Sequence, residues 1–205
     1  MFDSANPLGG YFYKDFEQEK VRVIVVNCYD NEDSAGEGLS WGAQQTQFIA
    51  EQALNLSDKT DWSVILFSHD FPDLTTIITE VTAPERRRLI DVLTAFNEGG
   101  IFSGTLVGSS DVLTVDYSWN ANGKVKLIAT IHGHAHADMI DTTYGWNIIG
   151  ALASHNAWGE DYIGTIKEFG VSVFTIDTEN KVLHETRIGR GNSRKFSFGD
   201  TIGEI

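Results

Sequence analysis

Three histidines fall within five residues in Ile131-His132-Gly133-His134-Ala135-His136, half of the six in the chain. Neutral imidazole is the commonest protein ligand for divalent transition metals. The run follows Val125-Lys126-Leu127-Ile128-Ala129-Thr130, an apolar segment that reads as a strand. A strand end holds the backbone and a following glycine lets the chain turn sharply, so alternate imidazoles can converge on one point. The plain alternative is a histidine-rich turn that binds nothing.

A second segment has the same design. Trp62-Ser63-Val64-Ile65-Leu66-Phe67 is a continuous apolar run, as in a strand buried on both faces, and it ends in Ser68-His69-Asp70-Phe71-Pro72. Ligand-binding loops of α/β folds lie at such C-terminal strand ends. A lone histidine there is more often a hydrogen-bonded structural residue, but two such ends point to a shared site. Asp70 could accept a hydrogen bond from an imidazole and fix its tautomer. Asp138 and Asp141 are further oxygen donors close to the histidine run. His132 reads as a supporting residue, His155 in Ser154-His155-Asn156 as a pocket candidate, and His184 as a surface residue. Neither a G-x-S-x-G elbow nor a histidine near Cys28 supports nucleophilic catalysis.

At these residues the sequence resembles the calcineurin-like metallophosphoesterases, in the form found in phage tail-associated and Gram-positive bacterial proteins. SHDFP at His69 and GHAH at His134 and His136 match that family's last two metal-binding blocks. Gly10-Tyr11-Phe12-Tyr13-Lys14-Asp15-Phe16 before VRVIVVN, Trp41-Gly42-Ala43-Gln44-Gln45, and the ending Arg190-Gly191-Asn192-Ser193-Arg194-Lys195-Phe196-Ser197-Phe198 are similar too. The resemblance covers nearly the whole chain but only the C-terminal half of the family's domain. It implies a metal-dependent phosphoester (phosphodiester) hydrolase with two divalent transition metals (Mn, Fe or Zn). His69 and His134 would serve one ion and His136 the other. It also implies part of a β-sandwich flanked by helices, an α/β chain in layered α+β form.

The family's D-x-H, G-D-x-x-D and G-N-H-D/E blocks do not occur in these residues, and His69 is the first histidine. A two-metal site needs ligands from both halves to hold its ions about 3.5–4 Å apart. The expectation is therefore an incomplete hydrolase domain short of metal ligands in the chain alone, the alternative being one zinc held by three imidazoles and a water. The competing expectation is a non-catalytic structural or interaction module, such as a phage tail component, with a degenerate metal site.

Composition limits the partners. A formal net charge of −14 removes the sequence-independent attraction to nucleic-acid phosphate. Arg86-Arg87-Arg88 sits among acidic neighbours and reads as a solvated helix face. No apolar run approaches a membrane span, and residues 1–20 are too polar for a signal peptide, so localisation stays open between soluble and virion-associated. A single cysteine excludes an intrachain disulfide, and Cys28 reads as a small buried hydrophobe.

At 205 residues with 41% hydrophobic content one core is ample, giving one partial domain over 1–198 and a loose Gly-rich tail over 199–205. Strands are expected at 21–27, 62–67, 125–130, 146–152, 171–176 and 182–187, the last two joined as a hairpin through Asp177-Thr178-Glu179-Asn180. One helix runs from about Ser40 to Leu56. A second runs from about Ala83 to Asn97, with Thr82 and Glu85 as a capping box and Leu89, Ile90, Leu93 and Phe96 as its apolar stripe. Residues 98–124 read as a long surface excursion. Strands VRVIVVN and WSVILF would be left bare without the first half, which predicts self-association or docking with that half.

Overall fold

β-Branched and aromatic runs become strands where the sequence places them, and the result is a mainly β fold with a few helices. The computed structural model describes residues 10–28, 41–70, 84–107, 112–119, 125–152 and 162–205. The chain divides into two compact units, Met1–Lys126 and Leu127–Ile205.

In the first unit β1 (Phe12–Phe16) pairs antiparallel with β2 (Val21–Val25), and β2 pairs parallel with β3 (Ser63–Phe67). A parallel step needs a crossover, and this one contains α1 (Ala43–Phe48) and a π-helical turn (Ile49–Ala53). Val21, Ile24, Val64, Ile65 and Leu66 are all buried, so the strands expected to be bare carry covered side chains. The helix is shorter than its apolar spacing predicts because its last turn widens: the Leu54 N–H donates to Ile49 O at 2.9 Å.

Arg22 holds that end. Its Nη1 donates to the carbonyls of Gln52, Ala53 and Asn55 at 3.3, 2.9 and 3.0 Å. Its Nε and Nη2 take both oxygens of Asp15 at 2.6 and 2.8 Å. A guanidinium this buried is tolerable because its fork is engaged on both sides. Nearby, Gln45 acts as a strand partner beyond β2: the Asn27 N–H donates to its Oε1 at 2.7 Å and its Nε2 donates to Asn27 O at 2.8 Å.

α2 (Pro84–Asn97) buries Leu89, Ile90, Leu93 and Phe96 as its stripe predicts, with Val92 beside them. The expected excursion over 98–124 is instead largely a hairpin, β4 (Ile101–Val107) against β5 (Val112–Ser118). The Gly, Ser and Asn content masks an alternation in which Val115 and Trp119 are buried while Thr114, Asp116 and Ser118 face water. Trp119 meets Phe96 edge-on with ring centroids 6.0 Å apart. Cys28 is buried and unbridged, as expected.

The second unit holds two sets of paired strands. β6 (Lys126–His132) runs parallel to β8 (Asn147–Gly150), and β7 (Met139–Asp141) pairs antiparallel with β8. The other sheet places β9 (Gly170–Asp177), β10 (Val182–Gly189), β11 (Arg194–Ser197) and β12 (Gly203–Glu204) side by side. The β9–β10 hairpin turns where predicted, with Asp177 accepting from the Asn180 N–H and Nδ2 at 2.9 and 2.8 Å. Buried Asn147 joins the two sheets. Its Nδ2 donates to Ile128 O and Ser197 O at 3.2 and 2.8 Å, and its Oδ1 accepts the Gly203 N–H at 2.9 Å. That contact draws in the Gly-rich stretch expected to be loose.

Ser40, the Thr82–Glu85 capping pair, the side chains of Arg86-Arg87-Arg88, and Ser154-His155-Asn156 lie outside the described residues. Among the described residues, no helix is long and apolar enough to cross a membrane.

Candidate metal centre

Residues 133–138 connect β6 to β7 and carry the histidine motif. β6 delivers His132, which is 2% exposed and in register with Gly150 of β8. Its carbonyl accepts the Ala151 N–H at 2.9 Å, so the strand is paired up to the point where the loop leaves it. Two residues on, the chain turns sharply. His134 has φ +51° and His136 φ +53°, with the Ala135 N–H donating to Gly133 O at 2.6 Å between them.

A left-handed backbone is uncommon for a residue with a side chain, although histidine is one of the types enriched there. Each such residue costs on the order of 1–3 kcal/mol unless the surroundings enforce it. Two at alternate positions in one loop give both half-buried imidazoles a shared backbone geometry.

Just past the histidines the loop meets an ion network. Arg187 Nη2 donates to Asp138 Oδ1 and to Glu185 Oε1, the latter at 2.7 Å. Arg194 donates from Nε to Glu185 Oε2 at 2.6 Å, from Nη1 to Met139 O at 3.1 Å and from Nη2 to Gly150 O at 2.9 Å. Glu185 also accepts from Ser172 Oγ at 2.6 Å. The side chains of Glu185 and Arg187 are 0% and 1% exposed, and Asp138 reaches the surface at 26%. Two guanidiniums face two carboxylates, so the network is neutral and its charges can stay buried. Gly191 makes room for it. At φ +91°, a Cβ there would stand 2.9 Å from Asp138 Oδ2 and 2.7 Å from Leu152 Cδ1.

In the sequence Asp138 stands out only as an oxygen donor, and nothing local marks Glu185, Arg187 or Arg194 as its partners. One signal was present: Glu185 shares the inward face of β10 with Leu183, and an acid there requires a buried cation. The other candidates are placed as follows. His69 is exposed just beyond β3 in the first unit, and Asp70 beside it is buried. Asp141 accepts from the Thr143 N–H and Oγ1 at 2.8 and 2.6 Å, closing a turn. His184 lies on β10 between Thr175 and Lys195.

The structure thus carries His134 and His136 on one short loop, whereas His69 belongs to the other unit. As donors the two imidazoles fit a divalent transition metal. They are a partial set: among the described residues, no three or more His, Cys, Asp or Glu side chains form a group able to hold an ion. No protein-family model matches the chain, and no curated protein matches it.

Proposed function

We propose that this chain is a contributing part of a metal-dependent phosphoester hydrolase, with His134, His136 and His69 as its share of the metal ligands. The supporting observation is the left-handed backbone at both His134 and His136, a strained geometry of the kind retained at functional sites. In this reading the fold is a portion of a helix-flanked β-sandwich, and Asp70 and His132 support the ligands. Bound divalent ions would supply charge against the oxyanions of a phosphoester and a hydroxide nucleophile. The chain's own part is to present imidazoles from two strand ends. The test is hydrolysis of a bis-aryl phosphodiester with added Mn²⁺. Turnover that follows the metal and disappears in His134→Ala and His136→Ala supports the reading, and no turnover above the metal blank removes it.

A second reading is a non-catalytic structural or interaction module. It is favoured by one specific observation: Asp138, the carboxylate nearest the histidines in sequence, is committed to Arg187 and Arg194. A loop held by ion pairs can serve as a rigid contact surface without any metal.

A further inference from the structure

We infer that Asp138 is a positioning residue: gripped by Arg187 and Arg194, it holds the 133–138 loop in the conformation that presents His134 and His136. This rests on the reading of those histidines as ligands, and it adds what fixes them.

The loop is tied at both ends by different means. At its start, His132 is locked by strand pairing and by the Ala151 N–H on its carbonyl. At its finish, no long strand takes over, because β7 is only three residues. The arginines take that role. Arg187 binds Asp138, and Arg194 binds the Met139 carbonyl and, on β8, the Gly150 carbonyl. Arg194 Nη2 also stands 3.4 Å from Asp138 Oδ1. Both guanidiniums are immobilised by Glu185, itself fixed by Ser172 on the neighbouring strand. The loop end is therefore referenced to the β9–β10–β11 sheet, some 50 residues away in sequence.

Backbone strain points the same way. Left-handed histidines relax toward extended or right-handed backbone when nothing opposes it. With His132 fixed at one end and Met139 paired just beyond the other, Asp138 is the side-chain tie at the loop's last residue, and releasing it loosens the backbone next to His136. Asp138 has no need to touch a bound ion for this role, and its Oδ1 is already engaged by Arg187.

The experiment uses nuclear magnetic resonance on the chain, its Asp138→Asn variant and its Asp138→Glu variant. Two signals are followed: the Cα and Cβ shifts of His134 and His136, which report φ, and broadening of their imidazole resonances by added MnCl₂. In the wild type the shifts should be left-handed. In Asp138→Asn they should move away from left-handed values while β8–β11 resonances stay in place. The Mn²⁺ concentration for half-broadening should then rise about tenfold or more, the usual effect of losing a residue that orients a ligand. Asp138→Glu, which keeps the charge, should recover part of both. Left-handed shifts that persist unchanged in Asp138→Asn overturn the inference whatever the metal does. Equal broadening in wild type and Asp138→Asn overturns it too. Absence of broadening in every variant counts against the metal reading alone, because the backbone shifts still decide the positioning role.

Discussion

Replacing Glu185 by glutamine should unfold the second unit more readily than almost any other isosteric change in it. The carboxylate is 0% exposed and accepts three hydrogen bonds, from Ser172 Oγ at 2.6 Å, Arg187 at 2.7 Å and Arg194 at 2.6 Å. Glutamine keeps the shape and one oxygen, but its NH₂ would point at guanidinium donors. The network then goes from neutral to a net positive charge, with the Arg187 and Arg194 side chains 1% and 8% exposed. Removing one partner of a buried ion pair costs about 3–5 kcal/mol, chiefly through the stranded charge. Asp138 still compensates part of that charge, which argues for the lower end, about 3–4 kcal/mol. For a chain of this size that corresponds to a fall in melting temperature of roughly 10 °C. Urea unfolding followed by circular dichroism and by tryptophan fluorescence, with Trp146 buried in this unit, reads it directly. Replacing the set together, as E185L/R187M/R194M/D138N, should recover most of the loss, because no charge is then left buried. A Glu185→Gln protein within about 1 kcal/mol of wild type would refute the reasoning, since the stranded-charge penalty would be missing.

Three further outcomes follow from the same structure. Arg22→Lys should cost about 2 kcal/mol in urea unfolding, because one ammonium cannot hold both Asp15 oxygens and the three carbonyls at the end of the π-helical turn. Burial pushes the Asp15 carboxyl up, but hydrogen bonds and charge from Arg22, and then Lys59, outweigh it and hold it below the ordinary 3.8. Its contribution is thus complete above about pH 4 and lost as pH falls through the lowered value, so wild type and Asp15→Asn should converge in acid unfolding. Gly189→Ala should destabilise by about 3 kcal/mol or more, a backbone clash adding to the strain of a left-handed alanine. At φ +91°, its Cβ would lie 2.1 Å from the backbone oxygen of Phe169. A soluble variant with an unchanged melting curve would show that the turn relaxes freely.

Elements whose signal is local are legible in the residues alone. VRVIV, SVILF and the run before His132 are continuous apolar segments, and the 171–187 stretch alternates around an Asx turn, so their strands were readable from period and turn chemistry. The stripe of α2 was readable for the same reason. So was the histidine cluster, because its members are neighbours in the chain. Elements with weak local signal were not readable. β4 and β5 alternate through Gly, Ser and Thr, which carry little hydrophobic contrast, and β1 interrupts its aromatics with Lys14 and Asp15. The end of the π-helical turn is held by Arg22, from a strand far away in sequence.

What holds the candidate site comes from long-range contacts. The left-handed φ of His134 and His136 is not written in G-H-A-H, since an isolated peptide would relax from it. It depends on Asp138 meeting Arg187 and Arg194, partners separated from it by roughly 50 residues. Tertiary structure likewise set His69 in one compact unit and the other two candidate ligands in another. Residue types state which chemistry is possible. Which of them are held in place is fixed by long-range pairing, where a buried charge is stable only if the fold brings its counter-ion to it.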